Sequence, residues 1–358
     1  MLLLTIVYLV GMFTLLVAAH ELGHMWVAKR FRMKVEEFAI GIGPLLLRLW
    51  RGRDGTQYTL RALPLGGFVK IPGMMPDEEH IEGGFQSKPL HARFLTVLAG
   101  PLASILFGFV LFVLIGVTAG LPSPDKPLLQ VKLVMPDSPA QQAGVRIGDI
   151  LVSINGIPAK SIEHATELIR ANPNRPIVLE LRRDGQPVRL TVVPREEEIE
   201  EKGVKKRIGR IGVLWHHARQ REPIGVAIVH AGYMTVGVVV GVVEGLRRLI
   251  FGQGSIHEVG SVISIASAAN AMARLGFAEV ATFAAQFSIM LGVINLLPIP
   301  VLDGGYLLIF AIEAIRRRKL SPESMARVQF AGLVIVLMIF VAVFSLDIYK
   351  LLTGKLIR

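Results

Sequence analysis

The sequence predicts an α-helical membrane protein with four transmembrane helices, membrane-associated β-hairpin elements and an inserted soluble α/β domain. Three observations predict this class. The 358-residue chain is 52% hydrophobic and has a mean hydropathy of +0.53, which is typical of a membrane protein rather than a soluble globule. Several uncharged runs are long enough to cross a bilayer. The long central segment instead shows the short alternating strands and turns of a soluble module.

Four uncharged runs are predicted to span the bilayer, and they cover residues 1–19, 94–119, 280–302 and 330–346. At ~1.5 Å per residue most of them reach across a hydrocarbon core of ~30 Å. The first run lacks the basic start of a signal peptide, so we expect it to be retained as a helix. A fifth apolar stretch is rich in glycine and is predicted to form a helix in the outer membrane interface; it covers residues 223–243.

Basic residues predict the orientation of the chain in the membrane. The segment 29–61 carries eight Lys/Arg against three acids, and residues 316–319 are all basic. The positive-inside rule places both segments in the cytoplasm, so both termini and the central segment are predicted outside. If residues 223–243 crossed the membrane, the basic residues 316–319 would lie outside, against the positive-inside rule. We therefore expect residues 223–243 not to cross.

The formal net charge of +11 belongs to loops beside apolar runs, as is typical of loops that face anionic lipid. Nucleic acid is therefore not an expected partner. The chain has no cysteine, which excludes disulfides and thiolate zinc sites.

The first cytoplasmic loop is predicted to form a β-hairpin. Apolar segments 45–50 and 57–63 flank Asp54-Gly55, a dipeptide that favours tight hairpin turns. The next segment, 63–70, is predicted to be a strand that dips toward the membrane, where unpaired backbone must line a cavity or meet a partner strand. The pattern also allows a surface hairpin. Within this strand, four candidate substrate-binding residues could hold an extended peptide: Gly66, Gly67, Phe68 and Val69.

The outer segment 127–215 is predicted to be a separate α/β module. Strands are expected at 131–134 and 150–154, and the second is followed by an Asn-Gly turn. A helix over 161–171 has Ser161 as its N-cap, and a hairpin joins 177–182 to 188–193.

The first apolar run continues into His20-Glu21-Leu22-Gly23-His24, an HExxH motif. His20 and His24 share one face of a helix and could bind one metal ion, and Glu21 is placed to accept a proton from water. Burying these side chains in a membrane helix without a function is costly, so a pair of satisfied histidines is the weaker interpretation.

A catalytic zinc site with two histidines needs a further protein ligand. Residues 295–305 contain two prolines that break the third apolar run, followed at once by Asp303. An aspartate at this depth is costly unless it is paired or metal-bound. The predicted topology places it level with the HExxH motif, and a helix cap is the alternative interpretation.

Two resemblances extend these expectations. Ser138-Pro139-Ala140 with residues 143–149 resembles the signature of bacterial PDZ domains. The resemblance implies a groove in which an extended peptide adds as a strand. In the bacterial form the groove strand comes last, near residues 209–213, which makes Ile211, Gly212 and Val213 the groove residues. The alternative is an occluded groove that acts as a size filter.

Over its full length the chain resembles the site-2 protease family, closest to its RseP-like branch. The resemblance rests on HExxH in a first membrane helix, residues 63–70, Ala99-Gly100-Pro101, the PDZ-like module and residues 295–305. It implies cleavage of transmembrane proteins or peptides within the bacterial inner membrane, with a Zn2+ site near the cytoplasmic side. Expected substrates are anti-sigma factors or remnant signal peptides, with an upstream site-1 protease as a further partner.

Carried over by position, His20, His24 and Asp303 are the implied zinc ligands and Glu21 is the implied general base. Asn295 is implied to orient the substrate backbone. Residues 38–43 and 63–70 match the membrane-associated β elements of the family.

The chain departs from the family pattern at two places. The family usually has Asn three residues after Ala-Gly-Pro, where this chain has Ser104, and Gly260-Ser261 stands where Gly-Pro is common. We expect neither departure to touch the chemistry. Only one PDZ-like module is expected, so the gating of substrates should be simpler than in relatives with two.

The predicted divisions are an N-terminal membrane half (1–120), the PDZ-like domain (127–215), interfacial helices (223–276) and a C-terminal membrane half (277–358). A rival interpretation is a catalytically silent membrane scaffold that binds peptides through the PDZ-like module. A metal transporter is disfavoured, because the apolar runs lack the ionisable residues that a transport path needs.

Overall fold

The computed structural model describes residues 2–74, 81–122, 129–201, 204–217, 219–251 and 276–352, together with 265, 269, 272 and 273. The chain divides into two compact units. Met1–Ile115 and Gly225–Arg358 form the first, and Gly116–Ile224 form the second. The predicted soluble module, 127–215, falls inside the second unit, although its predicted first residues, 127 and 128, lie outside the described residues.

Helices dominate the first unit. In chain order they are α1 (Leu2–Arg30), α2 (Leu90–Thr118), α5 (Ile224–Ile250), α6 (Phe277–Asn295), α7 (Asp303–Arg316) and α8 (Pro322–Leu352), while α3 and α4 belong to the second unit. Among the described residues, five helices are long and apolar enough to cross a membrane: α1, α2, α5, α6 and α8. Each of the four predicted spans falls largely within one of them.

The fifth of these helices, α5, covers the stretch that was predicted to lie in the interface. Its length and composition would allow it to cross, so the count of four spans stays a prediction that rests on charge distribution. Most of the predicted interfacial segment after residue 251 lies outside the described residues, as does Gly260-Ser261.

The third predicted span ends earlier than expected. Helix α6 stops at Asn295 rather than near residue 302, because Pro298 and Pro300 cannot donate helical hydrogen bonds and disfavour helical backbone before them. A new helix, α7, then begins at Asp303. The break therefore places an acidic residue at the first position of α7.

Glycines allow α2 to approach both of its neighbouring helices closely. A side chain at Gly23 of α1 would overlap the Ala99 carbonyl, and one at Gly292 of α6 would come within 2.7 Å of the Pro101 carbonyl. Small residues at such crossings are the usual route to tight packing between membrane helices. Helix α2 is therefore held against α1 on one side and α6 on the other.

Two long, bent strands form the β element of the first unit, β1 (Glu37–Arg51) and β2 (Gln57–Lys70). Residues 37–40 run parallel to 57–60 and also oppose 67–70, with Glu37 opposite Lys70 and Ile40 opposite Gly67. The outer part of β1 pairs back on β2 as the predicted hairpin, with Leu47 opposite Leu60. In the resulting four-segment sheet, residues 67–70 form one edge.

The tip of this sheet is apolar and exposed. Leu45, Leu46 and Leu47 expose 43%, 64% and 54% of their surfaces, and Trp50 exposes 59%. Consecutive exposed leucines beside arginines are typical of a surface that contacts lipid or a partner rather than water.

The second unit is an α/β domain whose main sheet has the order β11-β4-β5-β7-β8, with β6 beside β5. Short pairs β3–β12 and β9–β10 complete it. Its elements are β3 (Leu121–Pro122), β4 (Leu129–Val134), α3 (Pro139–Gln142), β5 (Ile150–Ile154), β6 (Ile157–Pro158), α4 (Ile162–Arg170), β7 (Ile177–Arg183), β8 (Gln186–Val192), β9 (Arg195–Glu201), β10 (Val204–Arg210), β11 (Val213–His217) and β12 (Arg219–Gln220).

Several local predictions for this domain are confirmed. Asn155 and Gly156 both adopt positive φ, at 50° and 77°, as the predicted tight turn requires. Ser161 caps α4 by accepting from the His164 N–H. Asp184 and Gly185 form the turn between β7 and β8, again with positive φ.

The predicted groove strand over 209–213 is wrong in detail. Strand β10 ends at Arg210 and β11 begins at Val213. The break occurs because Gly212 has φ +75° and its carbonyl accepts from the Met135 N–H, while the Ile211 carbonyl accepts from the Ala140 N–H. Residues 211–212 therefore bind the segment around Ser138 instead of continuing a strand.

Candidate metal centre

The HExxH motif lies within the unbroken helix α1, so His20 and His24 are one turn apart on the same face of the helix. Both histidines are buried, with 7% and 8% of their surfaces exposed. Their Nε2 atoms lie 3.2 Å apart. Two ring nitrogens that face each other at this distance need a cation between them or a proton on one, because two lone pairs would otherwise repel.

Asp303 reaches the same point from the opposite end of the sequence. It is the first residue of α7, and its Oδ2 lies 3.1 Å from His20 Nε2 and 3.5 Å from His24 Nε2. The two glycines after it allow this approach, since a side chain at Gly304 would overlap the Leu296 and Leu297 carbonyls.

The loop before Asp303 is strained. Val301 has φ +84°, which is unfavourable for a β-branched residue and persists only where the surroundings enforce it. Such strain is often found at functional sites.

The three side chains could hold a tetrahedral metal ion. With bonds of about 2.0 Å, such an ion has ligand atoms about 3.3 Å apart. The three observed separations are 3.1, 3.2 and 3.5 Å. Two imidazole nitrogens and a carboxylate oxygen are also a donor set that zinc accepts, with a fourth position left for water or substrate.

The other ring nitrogen of each histidine is bound by α2. His24 Nδ1 lies 2.9 Å from the Thr96 carbonyl oxygen, and His20 Nδ1 lies 2.9 Å from Ser104 Oγ. The Thr96 carbonyl can only accept, so His24 carries its hydrogen on Nδ1 and its Nε2 is free to bind a metal. The Ser104 hydroxyl can accept from His20 Nδ1 in the same way. The helix crossing thus brings Ser104, the departure that we expected not to touch the chemistry, into contact with a predicted ligand.

Gly100 makes room for the site. A side chain at this position would overlap Nε2 of His24. The Ala99-Gly100-Pro101 motif thus combines a close crossing with α1, space for a histidine ring and a proline that removes one helical hydrogen bond.

A cavity of about 400 Å³ opens beside the three side chains. It is lined by Glu21 and by Asn295, the last residue of α6, and it brings together the four β2 residues predicted to bind substrate: Gly66, Gly67, Phe68 and Val69. The Val69 N–H donates to the Glu21 carboxylate, so the edge strand and the acid that follows His20 are in direct contact.

The predicted groove residues lie in the second unit. Ile211, Gly212 and Val213 line a separate cavity of about 210 Å³, together with Ile169 and Arg170 of α4. Strand β11 is at the edge of the main sheet in the described part of the chain, so a cleft lies between an edge strand and a helix.

Comparison with known proteins identifies the family. The model of peptidase family M50 matches residues 8–339. This chain belongs to peptidase family M50. As a member of this family it is a zinc metalloprotease, in agreement with the names of its relatives.

A Rhizobium meliloti protein with a provisional zinc metalloprotease name is 35% identical over 347 residues, which cover 92% of each chain. Zinc metalloprotease RasP of Geobacillus kaustophilus is 29% identical and spans 97% of this chain and 98% of the relative. The regulator of sigma-W protease RasP of Bacillus subtilis is 27% identical over 427 residues, or 97% of this chain and 99% of the relative.

Three residues that lie at this candidate site were not predicted from the sequence. Thr96 contributes a backbone carbonyl, which leaves no signal in the sequence. Ser104 was visible only as a departure from a motif. Tyr306 lines the cavity one turn after Asp303, and its hydroxyl lies 2.6 Å from Gln329 Nε2; its i+3 spacing from the aspartate was the available signal.

Proposed function

We propose that this M50 peptidase is an intramembrane endopeptidase that cleaves transmembrane substrates beside a zinc ion held by His20, His24 and Asp303. The observation that carries the proposal is the convergence of these three side chains next to Glu21 in one cavity. Their separations fit a tetrahedral ion, and both histidines present Nε2 to it. When bound, zinc supplies Lewis-acid chemistry, polarising the substrate carbonyl and increasing the acidity of water.

Glu21 acts as the general base in this proposal. It follows the first histidine directly and lines the cavity. It removes a proton from the attacking water as the new C–O bond forms, and gives that proton to the leaving amine as the C–N bond breaks. The hydrogen bond from the Val69 N–H fixes where its carboxylate points.

The substrate must be extended before it can be cut. A transmembrane helix hides its amides in internal hydrogen bonds, and hydrocarbon offers no water to replace them. Among the described residues, 67–70 pair with 37–40 on one side and with no strand on the other. An unwound segment would add as a strand on that other side, next to the point where the Val69 N–H meets Glu21. Gly66, Gly67, Phe68 and Val69 would hold that segment, and the Asn295 amide would bind its backbone.

The substrate classes we propose are anti-sigma factors and remnant signal peptides. The Bacillus subtilis relative is named as a regulator of sigma-W, which supports the anti-sigma class. An upstream site-1 protease would trim such substrates first. The exposed Leu45–Leu47 tip would rest in the lipid interface.

We further propose that the second unit is an extracytoplasmic PDZ domain that selects substrates. The cleft at residues 211–213 suits an extended peptide, and the charge distribution supports an outer location in the bacterial inner membrane. Deletion of residues 127–215 with a flexible linker should preserve the cutting of a short substrate and weaken discrimination against bulky outer domains. Loss of cutting despite retained zinc and fold would contradict this role.

The test of the proposed function is cleavage of a model transmembrane substrate in liposomes by the wild type and by Glu21→Gln. Cutting inside the membrane segment is expected for the wild type, with a loss of at least about 10²-fold in the variant, because general bases contribute 10²–10⁴-fold. The acidic residue Glu36 lies outside the cavity lining, so Glu36→Gln is the matched control and should cut normally. Equal cutting by Glu21→Gln would overturn the proposal, and binding without cutting by the wild type would favour the scaffold.

A further inference from the structure

The geometry behind His20 points to a positioning residue for the metal centre. Ser104 is fully buried on α2, with 0% of its surface exposed, and His20 itself is 7% exposed. The 2.9 Å contact between Ser104 Oγ and His20 Nδ1 is thus shielded from water. A buried ring nitrogen that lost this partner would have no water to replace it, and leaving it unsatisfied is costly.

We propose that Ser104 fixes the tautomer and the ring orientation of His20, and thereby sets the affinity of the centre for zinc. A neutral imidazole carries one N–H and one lone pair. His20 Nε2 faces Asp303 and His24, so metal binding there requires the hydrogen on Nδ1. The Ser104 oxygen accepts this hydrogen, which favours the binding tautomer and stops rotation of the ring.

Ser104 is well suited to this role because it is itself held by a third helix. Ser288 of α6 donates its hydroxyl to the Ser104 carbonyl at 2.7 Å. A side chain at Gly292 would come within 3.2 Å of Ser104 Cβ, so α6 packs directly on this part of α2. The chain of contacts runs from α6 through Ser104 to His20, and it fixes the ring relative to three helices.

A serine hydroxyl oxygen can accept a hydrogen bond from an imidazole N–H. The inference rests on the proposed zinc ligands and adds a residue that touches neither zinc nor substrate.

The experiment compares zinc binding by Ser104→Ala, by Ser104→Thr and by the wild type, using competition with a chelator on purified protein. Ser104→Ala should bind zinc about 10- to 100-fold more weakly, which is the usual effect of removing the partner of a ligating histidine. Ser104→Thr keeps the oxygen and should bind nearly as the wild type does. The visible spectrum after Co2+ substitution should change in the alanine variant and not in the threonine variant.

Thr56→Val is the matched control. It removes a fully buried hydroxyl of the first unit that donates to the Val35 carbonyl and takes no part in the contacts of His20, so zinc affinity should hardly change. If Ser104→Ala does not fold, the comparison is made between Ser104→Val and Ser104→Thr. Valine and threonine have nearly the same shape, and only threonine has the hydroxyl oxygen. Valine should behave as predicted for alanine.

Wild-type zinc affinity and Co2+ spectrum in both Ser104→Ala and Ser104→Val would overturn the proposal. An equal loss of affinity in Thr56→Val would also overturn it, because the effect would then come from the loss of any buried hydroxyl in this unit. These outcomes are distinct from failure of the proposed function, in which the wild type and Glu21→Gln would cut equally well.

Discussion

Each histidine of the candidate centre has a different kind of partner behind it. His24 uses the Thr96 backbone carbonyl, which no substitution at that position can remove, whereas His20 uses the Ser104 side chain. The centre is therefore more sensitive to mutation on the His20 side.

Asp149 is a buried carboxylate in the second unit, with 1% of its surface exposed. Burial alone would raise its pKa, but hydrogen bonds from Arg183 at 2.7 and 2.8 Å and from the Arg146 N–H hold the pKa below its usual range. A depressed pKa in the folded state contributes stability above the unfolded value of about 3.9, and this contribution is lost as pH falls through the folded value.

We predict that Asp149→Asn lowers the free energy of unfolding of the domain by about 2–4 kcal/mol at neutral pH, because Arg183 then lacks its charge partner. The loss should begin to shrink below about pH 4, where the carboxylate of the unfolded chain becomes protonated, and should disappear once pH falls below the depressed pKa of the folded state. Thermal unfolding at several pH values measures this. The exposed Asp184→Asn is the control, and an Asp149→Asn loss that does not depend on pH would contradict the account.

At the scale of elements, α2 and α7 are joined by a buried ion pair. Arg93 Nη2 lies 3.0 Å from Glu313 Oε2, and the two side chains are 4% and 7% exposed. Glu313 Oε1 also accepts from the Leu320 N–H, and the Arg93 guanidinium lies 5.1 Å from the Phe310 ring centroid. The pair links the helix that supports both histidines to the helix that begins with Asp303.

We predict that Glu313→Leu alone destabilises the first unit by about 3–5 kcal/mol, because it leaves a buried arginine without a partner. The double variant Arg93→Met/Glu313→Leu should recover much of this loss, since replacing both charges of a buried pair by apolar residues is often neutral. Thermal unfolding in detergent measures both. The single variant Arg93→Met completes the comparison. If the double variant lost as much free energy of unfolding as the two single variants added together, the two charges would act independently, and the pair would not stabilise the unit as a pair.

Local elements were predictable where a short signal determines them. Asn155-Gly156 and Asp184-Gly185 specify turns by their backbone preferences, and the spacing of His20 and His24 places both rings on one helix face. The pairing of residues 37–40 with both 57–60 and 67–70 was not predictable, because it depends on contacts between segments with no local signature. The break between β10 and β11 was not predictable for the same reason. The carbonyls of Ile211 and Gly212 accept hydrogen bonds from residues about seventy positions earlier in the chain.

The candidate site was predictable only in part for a related reason. His20, Glu21 and His24 form a local motif, but Asp303 lies nearly three hundred residues further on and was reached through its prolines, its cost in a membrane and a family resemblance. Ser104 and Thr96 gave no positive signal. Their role depends on the crossing of α1 and α2, which glycines and small residues allow without specifying its register.

At the scale of the whole molecule, the distribution of basic residues predicts which loops of the chain face the cytoplasm. The chain has no cysteine, so a single introduced cysteine is the only thiol. We predict that cysteines at Arg53 and Arg317 are shielded from a membrane-impermeant reagent in intact cells, whereas one at Asp184 is labelled. Permeabilised cells provide the control for reactivity. Labelling at Arg317 would show that α5 crosses the membrane.

The central claim is that one zinc ion is bound jointly by residues from the two ends of the chain. Zinc analysis of the purified wild type and of Asp303→Ala tests it most directly, with Asp54→Ala as a control acid in the β1–β2 turn. The account predicts about one tetrahedral zinc with nitrogen and oxygen ligands in the wild type and in Asp54→Ala, and loss of most zinc in Asp303→Ala. Full zinc occupancy in Asp303→Ala, with the fold retained, would contradict it, because the third ligand would then lie elsewhere.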